Sequence, residues 1–458
     1  MSVSDSRLLL FDDNIRSIGG HFLELATLLM EGAAELGYET RLATHQSFDG
    51  FDAINPKFHV EQGFRARRMI HWSLGVDGRS KVRRSVEGHN IGGSKWQNAW
   101  QNLRDPFSRP DRHPRVMLER WSDDFLKLLR HWDATDKDTL LINTADDFVM
   151  LALARALKQL PGDKPLTIHV VFHFAVFDSQ TSLSQRQQFG DQVNDAMKQM
   201  SPHHIHLHAT TAALSKQLAE VGVVANAIPY PTRYRAPRFR SSESPRYKIV
   251  LAGTPRAEKG RRVIPAVLSK IHGPHLASGR YQMSMQMPSK RWKRMIPKPM
   301  QSTYEQTLAA SSMPDSMPQS AADSYFEITS SDMPAAEYHR WLDTADVGLF
   351  LYDASRYVAR CSGVLLEMFI RGVPVVVPDH CWLADQVRAA GGNGSVGYIY
   401  ESIDQIPDLL DQMHHQYEAI RWRARHHGMA IAKRHRSTNT LIQMGIRPAG
   451  SIRHKQAA

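Results

Sequence analysis

The chain has 458 residues, enough at roughly 100 to 200 residues per domain for two or three domains, which excludes a single small module. Hydrophobic residues at 42% and charged residues at 22% exclude a collagen-like or mostly disordered chain, and two cysteines, Cys361 and Cys381, are too few for a disulfide framework or a four-thiolate zinc site. Lys and Arg outnumber Asp and Glu by 57 to 46, a formal net charge of +11 that favours an anionic partner.

The opening M-S-V-S-D-S-R-L-L-L-F-D-D has no long apolar stretch and is acidic where a secretion signal is basic, so a cytoplasmic location is expected. Leu8 to Phe11 read as a strand, closed by Asp12, Asp13 and Asn14. After Gly19 and Gly20, apolar residues recur as Phe22, Leu25, Ala26, Leu29, Ala33 and Leu36, one face of an amphipathic helix that Gly37 stops. Thr40 to Thr44 is a second strand, giving a strand, glycine turn, helix, strand unit of the parallel kind. Two glycines at the mouth of a helix let backbone amides approach an anionic or polar ligand, while a plain turn is the alternative. The spacing is not G-x-G-x-x-G and Thr44-His45 replaces a ribose-binding acid, which disfavours a redox dinucleotide enzyme.

A basic insert follows at about 60–125. Between Arg65 and Arg120 stand thirteen basic residues against five acidic ones, with Trp96, Trp100 and Trp121 nearby. This segment is either a solvated loop or a docking surface for an anionic membrane or an acceptor phosphate, and the tryptophans are interfacial anchors, sugar platforms or ordinary core. It carries no recognisable nucleic-acid reading motif, so a nucleic-acid partner is not expected. Strands then alternate with helices: Thr139 to Asn143, helix Phe148 to Leu160, Leu166 to His173, Ile205 to Ala209, and a helix from Ala212 to Glu220 capped by Thr210 or Thr211. Asp146 and Asp147 are candidate bases or acceptor-orienting groups, with helix capping as the alternative, and Asp178 is a further candidate. His173 ends its strand as either a cleft residue or a satisfied core histidine. His204, His206 and His208 share one strand face, but without an acidic partner no metal site is expected.

The proline- and serine-containing stretch 236–245 breaks the pattern and marks a domain boundary. The strand Tyr247 to Ala252 then leads into G-T-P-R-A-E-K-G, where Arg256 and Lys259 are placed to neutralise a diphosphate. Tyr281 to Met287 and Phe326 to Thr329 read as strands separated by a loop or insertion from 288 to 322, and Ala335 to Thr344 as a helix. Strand Val347 to Leu351, helix Gly363 to Ile370 and strand Val373 to Val377 complete a second alternating sheet. At the start of that last helix Ser362 and Gly363 are placed to hold phosphate on free amides, and Glu367 one turn on to accept from vicinal ribose hydroxyls. Cys361 at this helix start has no identifiable base, so a nucleophilic role is not expected. The whole is an α/β chain of two tandem domains whose cleft is the default ligand site.

The glycine loop Gly19-Gly20, the run Glu258-Lys259-Gly260, the stretch C-S-G-V-L-L-E-M-F-I-R-G-V-P-V-V-V-P with Glu367, Gly372 and Pro374, and the segment from Phe326 to Tyr352 resemble the GT-B glycosyltransferases, in particular the family 4 type. Ala359 stands where that family usually has a second glutamate, and Thr254 where it usually has arginine. Related transferases with Y-x-x-R-x-S-G are closer here, which implies donor contacts from Tyr357 and Arg360. The resemblance implies two Rossmann-like domains facing a central cleft: 1–236 as acceptor domain, 237–245 as linker, 246–430 as nucleotide-sugar domain, and 431–458 as C-terminal helix and basic tail. It implies a metal-independent transferase with a nucleotide diphosphate sugar as co-substrate and no further cofactor. Gly19, Gly20, Arg256, Lys259, Tyr357, Arg360, Ser362, Gly363 and Glu367 would bind the donor, and His173 and Asp146 would serve catalysis. The acceptor would be a glycan or a lipid-linked sugar in cell-surface polysaccharide or glycolipid synthesis, with retention at the anomeric carbon and possible contact with the inner membrane face. A degenerate GT-B scaffold, for which Ala359 is the support, and a nucleotide-sugar epimerase are the alternatives.

Overall fold

The computed structural model describes residues 6–18, 21–66, 72–74, 81–83, 114–162, 164–174, 177, 181–237, 246–287, 292–302, 305, 325–330 and 333–449. They form two compact units, the first made of residues 1–231 together with 436–458, the second of Thr232–His435. Gly19, Gly20, Asp178, Trp96, Trp100 and most of the expected linker at 237–245 lie outside the described residues.

In the first unit the chain runs β1 (Arg7–Phe11), α1 (His21–Glu35), β2 (Glu39–His45), β3 (His59–Phe64), the hairpin β4 (Trp72–Leu74) and β5 (Lys81–Arg83), and α2 (Pro114–His131). It continues through β6 (Thr139–Ala145), α3 (Asp147–Leu157), β7 (Thr167–Phe172), α4 (Leu183–Gln199), β8 (His204–Ala209), α5 (Ala212–Ala219) and β9 (Asn226–Ala227). Apart from the separate hairpin, the strands form one sheet in the order β3-β2-β1-β6-β7-β8-β9. Every neighbouring pair in that sheet is parallel. The strands are apolar on both faces, as a parallel sheet covered by helices requires, so Leu8, Leu10, Leu42 and Leu141 are fully buried. Helix starts follow the polar residues that the sequence places there: Asp146 caps α3 and Thr211 caps α5 through their side-chain oxygens. Trp121 on α2 stacks between Phe64 and Phe125 with 1% of its surface exposed, so it is core.

The second unit repeats the plan with β10 (Tyr247–Leu251), α6 (Ile264–Ile271), β11 (Tyr281–Gln286), β12 (Phe326–Thr329), α7 (Ala335–Leu342), β13 (Val347–Leu349), α8 (Gly363–Ile370), β14 (Val375–Pro378), α9 (Trp382–Ala389), β15 (Gly397–Tyr400), α10 (Ile406–His415) and α11 (Tyr417–Arg434). Its six parallel strands lie in the order β12-β11-β10-β13-β14-β15, the doubly wound arrangement in which strand order reverses between the first strand and the fourth. The reversal leaves a crevice at the carboxyl ends of β10 and β13, because the connections leaving those two strands turn to opposite faces.

After α11 the chain re-enters the first unit as α12 (Ser437–Gln443), where Leu441, Met444 and Ile446 join the core that Leu8, Leu29 and Leu42 line. Tyr38 O–H donates to the Arg447 carbonyl at 2.8 Å and Thr440 Oγ1 to the Pro229 carbonyl at 3.0 Å, which fixes this return. Among the described residues no helix is long and apolar enough to cross a membrane.

Helix α11 packs closely on α8, since a Cβ placed on Gly428 would lie 2.1 Å from the Phe369 carbonyl oxygen. Alanine gains about 1 kcal/mol of helix propensity over glycine, but separating two packed helices costs about 1 to 3 kcal/mol. Gly428→Ala is therefore expected to lower the thermal midpoint of the second unit, and an unchanged or raised midpoint in a melting experiment would contradict the packing described.

Candidate functional site

The candidate donor-binding side chains of the second unit lie on the segments that leave β10 and β13 and at the start of α8. After β10, Gly253 has a φ of +91°, and its N–H donates to Gln286 Oε1 at 3.1 Å. A Cβ there would meet Lys259 Nζ at 2.3 Å, so the lysine folds back across a position that only glycine leaves open. Residues Ala257–Lys259 make one 3-10 turn ended by Gly260, whose own Cβ would strike the Leu351 carbonyl at 1.9 Å. The Asp353 N–H donates to the Glu258 carbonyl at 3.0 Å, tying the loop after β10 to the loop after β13.

Lys259 Nζ sits 5.6 Å from the centre of the Tyr352 ring, and Tyr352 packs on Tyr357 at 4.5 Å. The Arg360 guanidinium lies over the opposite partner of that pair, 5.1 Å from the Tyr357 ring. Burial, then the neighbouring charges of Arg256 and Arg360, pushes the Lys259 amine down to about 8, against a smaller pull from Glu258 and Glu367. Arg256 is exposed and stands 3.9 Å from Glu258. Arg256 and Arg360 thus lie near enough to the buried Lys259 amine to depress it, a repulsion that a bound anion would relieve. Ser362 caps α8 by accepting from the Leu365 N–H at 3.3 Å, and the first amides of the helix begin at Gly363. One turn on, Glu367 Oε2 accepts from the Tyr338 hydroxyl at 3.0 Å. The structure therefore groups Arg256, Lys259, Tyr357, Arg360, Ser362, Gly363 and Glu367 in one unit, at the order reversal of its sheet. Burial pushes the Cys361 thiol upward, away from the thiolate that a nucleophile needs.

Sequence reasoning missed Tyr338 and Tyr352. Tyr352 lies three residues beyond β13 in G-L-F-L-Y, on the loop leaving the strand's carboxyl end, a place from which a parallel sheet presents side chains to a ligand, and that position is the signal. Tyr338 lies on α7 and meets Glu367 only through tertiary packing, so no local signal marks it.

In the first unit, His173 directly follows β7 and is 8% exposed. Its Nε2 lies 2.6 Å from the Asn143 carbonyl, which only accepts, so the ring carries its proton on Nε2. Tyr230 stands edge-on to the ring at 5.9 Å. Asp146 is occupied as the cap of α3, accepting from the Val149 N–H at 3.1 Å. Beside them the buried Asp12 accepts from Asn143 Nδ2 at 2.8 Å, Thr144 Oγ1 at 3.1 Å and the Asn14 N–H at 3.0 Å. Asp12, Asn143, Thr144 and Asp146 sit at the carboxyl ends of β1 and β6, where the order of the first sheet reverses, and His173 at that of the adjoining β7. In the basic insert Arg65 pairs with Asp124 at 2.7 Å, and the side chains from 67 to 113 lie outside the described residues.

The histidine face of β8 is organised by β7. His169 Nδ1 and His208 Nε2 are 3.0 Å apart, and His169 stacks on both His206 and His208. Among the described residues no group of His, Cys, Asp and Glu could hold a metal ion. Burial, followed by the other imidazoles, lowers His169 to about 3 and His208 to about 4.

No family model matches the chain, and no curated protein matches it in sequence. Solved structures do match in shape. Sucrose-phosphate synthase from Thermosynechococcus elongatus aligns over 96% of both chains with a TM-score of 0.56 at 10% identity. HepE of Anabaena in complex with UDP aligns over 96% of this chain and 98% of its own, also with a TM-score of 0.56 at 10% identity. A glycosyltransferase from Rickettsia africae gives 96% and 98%, a TM-score of 0.56 and 9% identity. The chain shares with them the GT-B fold, two Rossmann-like units built as described above.

The depressed histidines give a stability test for the first unit. Unfolded imidazoles bind protons below about pH 6.5 that the folded pair refuses until about pH 4, so stability is full above 6.5 and falls with pH below it. Equilibrium unfolding between pH 7 and pH 4.5 is expected to lose about 1 to 3 kcal/mol per pH unit in the steep region, two protons being the most this pair can contribute. His208→Gln should flatten that slope, and a profile as steep as the parent's would remove the pair from the account.

Proposed function

We propose that this chain is a glycosyltransferase that moves a sugar from a nucleotide diphosphate sugar to a glycan or lipid-linked acceptor. The observation that carries the reading is the buried Lys259 amine, held down to about 8 by burial and by the neighbouring charges of Arg256 and Arg360, in the same unit as Ser362 and the start of α8. Breaking a glycosidic bond to a diphosphate leaves negative charge on the departing oxygen. Fixed cations and helix-start amides stabilise that charge where it develops, and the burial of Lys259 strengthens its share.

In this reading Lys259 and Arg256 hold the diphosphate, with the amides from Gly363 completing the cradle. Glu367 accepts from ribose hydroxyls, and Arg360 with Tyr357 faces the sugar-proximal phosphate or the sugar itself. In the first unit His173, once its Nε2–H is turned away from the Asn143 carbonyl, hydrogen-bonds a donor hydroxyl and steadies positive charge at the anomeric carbon, and Asp146 orients the acceptor. Gly19 and Gly20 would lend backbone amides to the donor. The three cations supply the charge compensation that a metal gives in other transferases, so a metal-independent reaction is proposed, with retention at the anomeric carbon and no further cofactor. A lipid-linked acceptor in cell-surface polysaccharide or glycolipid synthesis accords with the excess of thirteen basic over five acidic residues between Arg65 and Arg120. It would place a cytoplasmic enzyme at the inner face of the membrane.

A second reading has one observation in its favour: Ala359, where the family's glutamate would stand, is fully buried and brings no polar group. A scaffold that binds donor without turning it over would follow. Transfer from a radiolabelled donor to an acceptor separates the two, because a scaffold binds and releases it unchanged.

Three outcomes test the site. Thermal stabilisation is expected with at least one of UDP, GDP, ADP and CMP. Lys259→Ala and Glu367→Ala should each lower donor use by roughly tenfold or more, the size expected for losing one charge-assisted contact. Unchanged donor kinetics in both would remove these residues from the site. Because Lys259 is charged below about 8 and neutral above it, diphosphate affinity should decline as pH rises from 8 to 9.5. In Lys259→Arg, which stays charged throughout, that decline should vanish.

A further inference from the structure

Glu367 is held by a neighbour that no reading of the local sequence marks. Tyr338, half-buried on α7, donates its hydroxyl hydrogen to Glu367 Oε2 at 3.0 Å across the gap to α8. Burial, then the Glu367 carboxylate, pushes the Tyr338 phenol well above its ordinary value, so the group remains a donor throughout the working pH range.

The donor is itself fixed from both sides. Arg371, which caps the end of α8 one turn after Glu367, donates Nε–H to Asp343 Oδ1 at 2.8 Å, with both side chains almost fully buried, and another N–H to His339 Nδ1 at 3.1 Å. A third guanidinium N–H reaches the Glu367 carbonyl at 3.0 Å. Residues 339 and 343 both follow Tyr338 on the α7 segment, so one buried guanidinium ties the end of the tyrosine's helix to the glutamate's own backbone. On the sheet side Trp341 Nε1–H donates to Ser284 Oγ at 2.8 Å, and Ser284 donates to Glu327 Oε2 at 2.8 Å. These bonds hold in place the α7 segment that carries Tyr338. A carboxylate one turn into a helix, left to itself, samples several rotamers, and its hydrogen bond to a ligand is weakened by the cost of choosing one.

We propose that Tyr338 is a specificity-determining residue of the donor site, fixing the Glu367 carboxylate in the orientation that accepts ribose hydroxyls and so selecting ribonucleoside over dideoxyribonucleoside diphosphates. This rests on the donor-site reading given above and adds to it the group that sets the sugar preference of the nucleotide. Tyr338 acts through Glu367 and is a positioning residue.

The test is calorimetric titration of the full chain with UDP, GDP and ADP, followed by the 2′,3′-dideoxy form of whichever binds most tightly. The proteins are wild type, Tyr338→Phe, Glu367→Ala and the double variant. Tyr338→Phe keeps the ring and is expected to weaken the ribonucleotide by roughly three- to tenfold, the range for losing one hydrogen bond of ordinary net strength, while leaving the dideoxy form unchanged. In the Glu367→Ala background the same substitution should do nothing further. Equal losses on both nucleotides, no loss on either, or an undiminished loss without Glu367 would each overturn the proposal. Should Tyr338→Phe fail to fold, Glu367→Asp serves instead: it draws the carboxylate back from Tyr338, and retention of the full ribose preference would overturn the proposal equally. A wild-type chain that binds none of the three diphosphates fails at the donor site itself, and the inference falls with it.

Discussion

Removing Lys259 from water without giving it a carboxylate partner of its own is the constraint around which the second unit's loops are arranged. The amine lies against Gly253 and over the Tyr352 ring, and the acids that pull on it, Glu258 and Glu367, are outweighed by burial and by Arg256 and Arg360. Such a placement lowers the stability of the empty protein, because part of the lysine's hydration is lost with little returned. The glycines on either side follow from the same placement. Gly253 makes room for the amine and Gly260 lets the turn meet Leu351, so the loop after β10 and the loop after β13 hold the charge from two sides. Natural chains retain such costs where a ligand offsets them.

Fold and site were legible to different depths because they leave different traces in a sequence. Parallel strands are continuous apolar runs and their helices carry polar caps, so β1, β6, β7, β10 and α8 stand where the periodicity puts them, with α8 running from Gly363 to Ile370 as expected. Arg256, Lys259, Ser362 and Glu367 could be picked out since each lies just past a strand or at a helix start. Tyr338 could not, because its value comes from the crossing of α7 over α8 rather than from its neighbours in the chain. The His169–His208 pair hid for the same reason: only the β7–β8 register brings the two rings together. Trp121 left core and interface equally open until Phe64 and Phe125 were seen to enclose it.

The two units also solve one problem in two ways. Each places polar groups at the carboxyl ends of the strands where sheet order reverses. The second unit gathers cations there, and the first gathers Asp12, Asn143, Thr144 and His173 in a mutually hydrogen-bonded set. An anion is suited to the former and neutral hydroxyls to the latter.

The return of residues 436–449 to the first unit bears on how the molecule is born. Leu441, Met444 and Ile446 complete a core whose other members, from Leu8 to Ile228, leave the ribosome more than two hundred residues sooner. During synthesis that nascent half must wait, with an apolar groove beside α1 unfilled, until nearly all of its companion has been translated. Its maturation is thus ordered last although it is made first, and the cell's chaperones have that interval in which to meet it.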